Sequence, residues 1–372
     1  MIGKNGSVIC RNAKRHSAII GRGGKARSLS QYHECHFSSM GSLSNFPADM
    51  DRLTAMKRVL LSIILVALIQ SGAAAAPLRL SYSVVGPTVA SVWMAHETGM
   101  FKKYGLDVQL VYIASSGTNI QALLGGSLEL SAPGMSGVVL AAARGAPVLA
   151  IGAMTNKPPM TLYVQPEITR TDQLKGQSLG ITRYNSTAHV VTTLILRKLG
   201  MEKTVNQRPL GGAPEVQAAF EQKQLAGMVT AVKPRAPARA LLNAADLDIP
   251  FAMNVMAVTQ DFWRKNPDTV ERAMRAYIEA VALMHHDKEN TLKVLQKYFK
   301  RSDPGFLEEM YSIVIRYIEK IPRVDPRNVA TTLEFEPVKG VDAEALTPKV
   351  IDNSLVDKLV KEGFIDKVFA KR

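Results

Sequence analysis

The chain has 372 residues, with 46 Lys and Arg against 32 Asp and Glu, a formal charge of +14, and two cysteines. Its first 76 residues hold 10 of those basic and 3 of those acidic groups, which leaves 36 against 29, or +7, on the remainder. That excess is scattered and lacks an interleaved aromatic and basic patch, which argues against nucleic acid as a partner. Cys10 and Cys35 both lie in the first segment, so the rest of the chain has no disulfide, thiolate nucleophile or cysteine-bound zinc.

In chain order, Gly3-Lys4-Asn5-Gly6 and Gly21-Arg22-Gly23-Gly24 mimic nucleic-acid or dinucleotide loops but sit between no strand and helix. Met56-Lys57-Arg58 then opens an apolar run from Val59 to Ile69, closed by the small residues Ser71 to Ala76. A basic start, an apolar run within the roughly 7–15 residues of an h-region and a small-residue exit form a cleavable export signal. A bilayer span needs about 20 residues. Met56 is therefore the expected start, with 1–55 an extension outside the natural product or a non-native leader, and 56–76 a signal peptide. Pro77 disfavours cleavage just before it, which moves the expected first mature residue to Ala75 or Ala76. No cysteine follows to carry a lipid, so the expected place is the periplasm, in free solution.

Removing 76 of 372 residues leaves 296, beyond the usual size of one core, and predicts two lobes. Leu78 to Ser83 alternates as a strand, Gly86-Pro87 turns, and a helix is expected from Thr88 to Lys103, stopped by Tyr104-Gly105. Leu106 to Tyr112 reads as a strand, Asn119 to Leu124 as a short helix, Leu128 to Ser131 as a strand, Ser136 to Arg144 as a helix and Val148 to Met154 as a strand. Such alternation means parallel pairing. After Lys157-Pro158-Pro159 a second series starts at Leu162, with a strand from Ser178 to Thr182, a helix from Thr187 to Leu199 and Gly200 as its C-terminal stop. A helix over Pro214–Gln222, a strand over Gly227–Val232 and a helix over Ala236–Leu242 follow, and Phe251 to Val258 returns in extended form. The remainder is helical. Asn266 is the expected cap and Pro267 the first turn, with one stripe through Val270, Met274, Tyr277, Ile278, Val281 and Met284 and a second through Leu307, Met310, Val314, Tyr317, Ile318 and Ile321.

Ala95-His96-Glu97-Thr98-Gly99-Met100-Phe101-Lys102-Lys103-Tyr104-Gly105-Leu106-Asp107-Val108 resembles the opening motif of substrate-binding proteins of nitrate, sulfonate and taurine ABC importers. Gln121 to Glu129, Asp172 to Gly180 and Val258 to Asp268 resemble three further segments of that family, in order and at its spacing. One departure stands at Leu225 to Ala231, where Thr230 replaces the family's acidic residue. The resemblance implies an α/β, two-lobed type II periplasmic binding protein fold, each lobe a mainly parallel sheet flanked by helices. Lobe 1 would be 77–160 plus 253–372 and lobe 2 161–252, hinged at 157–161 and 251–255. It further implies a monomer that captures a small-molecule solute, anionic in character, and delivers it to ABC permease membrane subunits, with no cofactor, metal or nucleic acid.

In open α/β sheets ligands sit beyond the carboxyl ends of strands, where helix N-termini present free N–H groups. Three turns meet that description here: Gly86 with Thr88, Gly134 with Ser136, and Arg183-Tyr184-Asn185-Ser186-Thr187. Ser115, Ser116 and Thr118 form a fourth polar turn. The glycines would admit close approach and the hydroxyls would donate, the plainer role of each hydroxyl being a helix cap. Arg183 could clamp a carboxylate or sulfonate through two parallel bonds, against the plainer role of a solvated arginine, and Tyr184 could stack on a ring or close the mouth. Trp93 reads as core. Among rival readings, a ligand sensor that signals through a membrane receptor shares every feature. A secreted hydrolase would need Gly134-Met135-Ser136-Gly137 as its nucleophile elbow, but the second glycine comes one residue early. His189 has no evident orienting partner, and His285-His286 point to different helix faces. A thiamine-pyrimidine synthase of the same fold depends on a cysteine-rich motif that this chain cannot supply after residue 76.

Overall fold

The computed structural model of the protein describes residues 77–184 and 186–370. The expected extension and export signal, both cysteines and Asn185 lie outside the described residues. Strands β1 (Leu78–Tyr82), β2 (Val108–Tyr112), β3 (Leu130–Ala132) and β4 (Val148–Ala153) alternate with helices α1 (Ala90–Glu97), α2 (Met100–Lys103), α3 (Ser116–Leu124) and α4 (Met135–Ala143). Next come β5 (Thr161–Val164), β6 (Ser178–Ile181), α5 (Thr187–Lys198), β7 (Asn206–Pro209), α6 (Ala213–Glu221), β8 (Gly227–Thr230) and β9 (Arg239–Asn243). After β10 (Val255–Thr259) the chain is helical: α7 (Gln260–Lys265), α8 (Pro267–His286), α9 (Lys288–Phe299), α10 (Pro304–Tyr317), α11 (Arg327–Phe335), α12 (Ala343–Val350), α13 (Ser354–Lys361) and α14 (Phe364–Ala370).

The strands form two sheets, ordered β2-β1-β3-β10-β4 and β7-β6-β8-β5-β9. The same order, with the same polarity, occurs twice. In each sheet the fourth strand alone runs against its neighbours, β10 against β3 and β4, and β5 against β8 and β9. Each of these is also the first strand after the chain changes sheets. A chain that leaves one sheet at the carboxyl end of a strand enters the next sheet at its carboxyl edge and must run back from it. The two crossings, 154–160 and 244–254, therefore lie where the parallel strands of both sheets end. That common edge is where a ligand belongs in such sheets.

Burial follows from this layering. Every residue of β3, β4 and β5 is buried, as strands covered on both faces require. The predicted stripe of α8 is wholly buried and packs with Leu80, Met94 and Trp93, and Trp93 is stacked on Tyr298 at 4.5 Å. Gly200 takes φ 66 and closes α5 as expected, and Met201 N donates to Leu196 O at 2.7 Å.

Four local expectations change. The helix from Thr88 to Lys103 is instead a 3-10 turn (Pro87–Val89) plus α1 and α2, broken at Gly99 with φ 70. The helix expected over Ala236–Leu242 is β9, an edge strand paired with β5. Pro234 and Pro237 explain the change, because a residue before proline is pushed toward extended conformations. The second stripe ends at Ile318; Ile321 lies past α10 and is 40 % exposed. Asn266 makes no side-chain capping bond, although Pro267 does open α8. Strand β7 carries no apolar alternation, being a mostly exposed edge, and only its pairing with β6 defines it.

Candidate functional site: the cleft at the common edge

A cavity of about 1340 Å³ opens along the carboxyl ends of both sheets. It exceeds the roughly 300–1,000 Å³ of a pocket wrapped around a small ligand, as a cleft with separated walls should. One wall carries Gly86, Thr88, Ser115, Ser116, Gly134 and Ser136, from the turns after β1, β2 and β3. The other carries Thr182, Ser186, Thr187, Thr230, Lys233 and Arg235, from the turns after β6 and β8.

Thr88 is buried, and its hydroxyl donates to Asn254 Oδ1 at 2.7 Å rather than capping a helix. Asn254 Nδ2 in turn donates to Ala132 O at 3.1 Å and Ser83 Oγ at 3.2 Å. The floor of the cleft is thus knit from β1, β3 and the returning crossing.

Gly134 and Ser116 form a second joint. The Ser116 hydroxyl accepts from Gly134 N–H at 2.8 Å. A Cβ on Gly134 would stand 2.9 Å from Ser116 Oγ and 3.2 Å from Met253 O, and one on Gly137 only 2.7 Å from Ser116 Cβ. Glycine here admits a close approach of α3 to α4. The approaching group is Ser116 of the protein itself.

Ser115 sits at φ 85 and ψ 127, a strained position for a residue with a Cβ. Buried Asn119 holds it there, donating through Nδ2 to Ser115 O at 2.8 Å and Ile113 O at 2.5 Å. Asn119 is braced below by Ser131 at 3.3 Å, and Ser131 by Ser81 at 2.8 Å. On the facing wall Ser186 caps α5, accepting from His189 N at 3.3 Å, while its own proton goes to Arg183 O at 2.7 Å.

The remaining predicted residues lie apart. Arg183 does not line the cavity; its Nε donates to Gly211 O at 2.9 Å. Tyr184 is 62 % exposed, does not line the cavity either and meets the His189 ring edge-on at 5.3 Å. Asn185 is outside the described residues.

Positive charge reaches the cleft from elsewhere, through Arg144, Lys233, Arg235 and Arg301, with Glu336 as the acidic lining residue. Lys233 is partly neutralised by Glu309 at 2.9 Å, and Glu309 also accepts from the Tyr163 hydroxyl. Burial holds Glu336 above the usual glutamate range, with Arg144 pulling the other way. Apolar lining comes from Val84, Ile120, Leu124, Leu140, Met160, Met228, Phe299 and Phe306. Lys233 and Arg235 lie a few residues past β8, between the expected strand Gly227–Val232 and the expected helix from Ala236, so the strand-end rule reached this turn although the sequence reading did not single it out. Arg301 lies between two helices and far along the chain, so no local pattern marks it.

Both crossings are tied to one C-terminal segment. Asn156 Oδ1 accepts from Asp325 N at 2.8 Å, its Nδ2 donates to Arg323 O at 2.7 Å, and its carbonyl accepts from Phe251 N at 3.0 Å. Asn328 Oδ1 accepts from Ala252 N at 2.5 Å. Among the described residues no group of three His, Cys, Asp or Glu could hold a metal ion. Among them, too, no helix is long and apolar enough to cross a membrane.

Two α/β lobes joined by paired crossings, with a cleft at the carboxyl ends of both sheets, define the periplasmic binding protein fold. Residues 86–291, more than half of the chain, match the family model described as NMT1/THI5 like, and the chain belongs to that family. Among solved structures it is similar to the periplasmic aliphatic sulphonate binding protein SsuA of Escherichia coli, at 18% identity and TM-score 0.56 over 77% of this chain and 87% of that one. It is also similar to the alkanesulfonate-binding protein SsuA of Xanthomonas axonopodis pv. citri bound to MOPS, at 19% identity and TM-score 0.55 over 76% and 97%. The periplasmic nitrate-binding protein NrtA of Synechocystis PCC 6803 matches at 16% identity and TM-score 0.59 over 77% and 88%. At such identities the likeness shows the fold. The Brucella abortus binding protein BAB2_1146, whose own name is provisional, is 24% identical over 241 residues, 60% of this chain and 72% of that protein.

Proposed function

We propose that this protein is the solute-binding component of an ABC importer, exported to the periplasm unlipidated, and that it captures a small organic anion and passes it to a membrane permease. The observation that carries the reading is the cleft itself. It is fed by the strand ends of both sheets, mostly apolar, and lined by four cationic side chains against one acidic one. The lobes would be 77–160 with 253–372, and 161–252, closing about the crossings. Closure driven by a solute that binds the closed form better is what a permease can read.

Magnitudes favour an organic acid over a bare inorganic anion. Two helix N-termini contribute roughly 0.3–1 kcal/mol each, and one charged hydrogen-bonded contact roughly 1.5–3. A micromolar solute needs about 8 kcal/mol. The remaining 3–6 kcal/mol corresponds to roughly 120–240 Å² of apolar surface at about 25 cal/mol per Å², which nitrate lacks and the apolar lining can cover. The likeness to an SsuA bound to MOPS, a sulfonate with an organic body, points the same way.

The test is a thermal-shift screen of alkanesulfonates, aromatic carboxylates, nitrate and pyrimidines on the protein from Pro77, followed by calorimetry. A solute that raises the melting temperature and is recovered unaltered supports the reading. Conversion of a screened compound would point to an enzyme instead.

A further inference from the structure

Among the described arginines that line the cleft, Arg144, Arg235 and Arg301, it is Arg301 that stacks on an aromatic ring. Arg79, Arg197, Arg275, Arg316, Arg323 and Arg327 each hold a carboxylate. Among the described residues Arg301 has no ion pair or hydrogen-bond partner, and its guanidinium lies over the Phe306 ring, 3.6 Å from the centroid. Phe306 is 1 % exposed and is itself packed edge-on against Phe299 at 5.2 Å, so the platform is fixed. Arg301, Phe299 and Phe306 all line the cleft. Lys300, in the left-handed conformation at φ 51, ends α9 and turns the chain so that Arg301 leads into α10.

We infer that Arg301 is the anion-anchoring residue of the cleft, and that the ligand it selects is an organic acid with a sulfonate or carboxylate head and an aliphatic or aromatic body. Stacking on Phe306 occupies one face of the guanidinium and leaves its in-plane N–H donors unclaimed by the protein, the geometry that takes two oxygens of a planar or tetrahedral acid in parallel. The cation is held in place before the ligand arrives, so little side-chain entropy is lost on binding. Lys233 is already engaged by Glu309 and cannot serve in the same way without releasing it. The half-buried Phe299 offers the adjoining apolar surface for the body of the acid.

The inference rests on the cleft being the solute site, and the experiment separates the two. Hexane-1-sulfonate and hexanoate are titrated by calorimetry into the wild type, Arg301→Ala, Arg301→Lys and Arg235→Ala, all from Pro77, and each unliganded protein is melted. The expected result is that Arg301→Ala weakens both acids about ten- to a hundredfold, with an unliganded melting temperature equal to that of the wild type. Arg301→Lys restores only part of the loss, because an ammonium is a point charge without the planar fork. Equal affinity in Arg301→Ala and wild type overturns the role of Arg301 while leaving the cleft as the solute site. A larger loss in Arg235→Ala than in Arg301→Ala moves the anchor to the other lobe and overturns it as well. A wild type that binds neither acid removes the anion-binding function itself, and with it this inference.

Discussion

The Thr88 hydroxyl and the Asn254 side chain, 166 residues apart in the chain, meet at 2.7 Å beneath the cleft. Thr88 belongs to the turn after β1, and Asn254 is the last residue before β10, so one hydrogen bond joins a ligand-facing turn to a crossing. Asn254→Ala strands the buried Thr88 donor and leaves Ala132 O to the longer bond from Ser83 Oγ at 3.3 Å, at a cost of about 1–3 kcal/mol. Denaturant unfolding should show that loss, with solute affinity falling alongside it. A stability within experimental error of the wild type would show that the bond contributes nothing.

Gly137→Ala tests the joint between α3 and α4. The new Cβ would meet Ser116 Cβ at 2.7 Å and the Ser116 backbone carbon at 3.3 Å, neither the end of a flexible side chain. We expect a destabilisation of about 1–3 kcal/mol. Adding Ser116→Gly removes one side of the clash, so the double variant should lose less than the two single losses combined. Strict additivity would mean that the two residues do not press on each other.

Ser115→Gly relieves the positive φ at the cleft wall. Stability should rise by about 1 kcal/mol, since glycine enters this region without the Cβ penalty. If the hydroxyl meets the solute, affinity falls while stability rises, and this opposed pair of changes in calorimetry and melting marks strain kept for binding. Unchanged affinity assigns the strain to the turn alone.

Glu319 links the first crossing to α10's end, its Oε1 accepting from Asn156 N at 3.0 Å. Burial, aided by Asp325, holds its carboxyl above the ordinary 4.5, against the hydrogen bonds from Asn156 and the charge of Lys157. The folded state therefore binds this proton more tightly than the unfolded chain does. Its contribution is fully present below the ordinary value and is lost as pH rises through the raised one. Glu319→Gln keeps an oxygen for Asn156 and abolishes the titration. Its melting temperature should gain on the wild type as pH rises above the ordinary glutamate value, and a pH-independent difference would refute the assignment.

Much of the fold was legible because its signals are local. The β-α alternation, the buried run of β4, the α8 stripe and Gly200 each follow from period and backbone preference. Where two signals competed the reading erred, as at 236–242, where helix-forming alanines and leucines outweighed Pro234 and Pro237 until pairing with β5 decided the matter. Of the candidate residues, those at the ends of β1, β2, β3 and β6 reach the cavity as strand-end geometry predicts. Arg183, two residues past β6, turns instead to Gly211, because a long side chain on an exposed loop follows the nearest carbonyl.

By itself the chain determined that two parallel-stranded lobes would form and that small polar residues would stand at their strand ends, since periodicity and turn chemistry act over a few neighbours. Only the tertiary structure decided which groups face one another: Asn254 under Thr88, Asn156 within the C-terminal segment, and Arg301 on Phe306 at the cleft. The physical reason is that a charge finds its partner through space. Residues brought together from positions 88, 254 and 301 leave no periodic trace in the sequence between them.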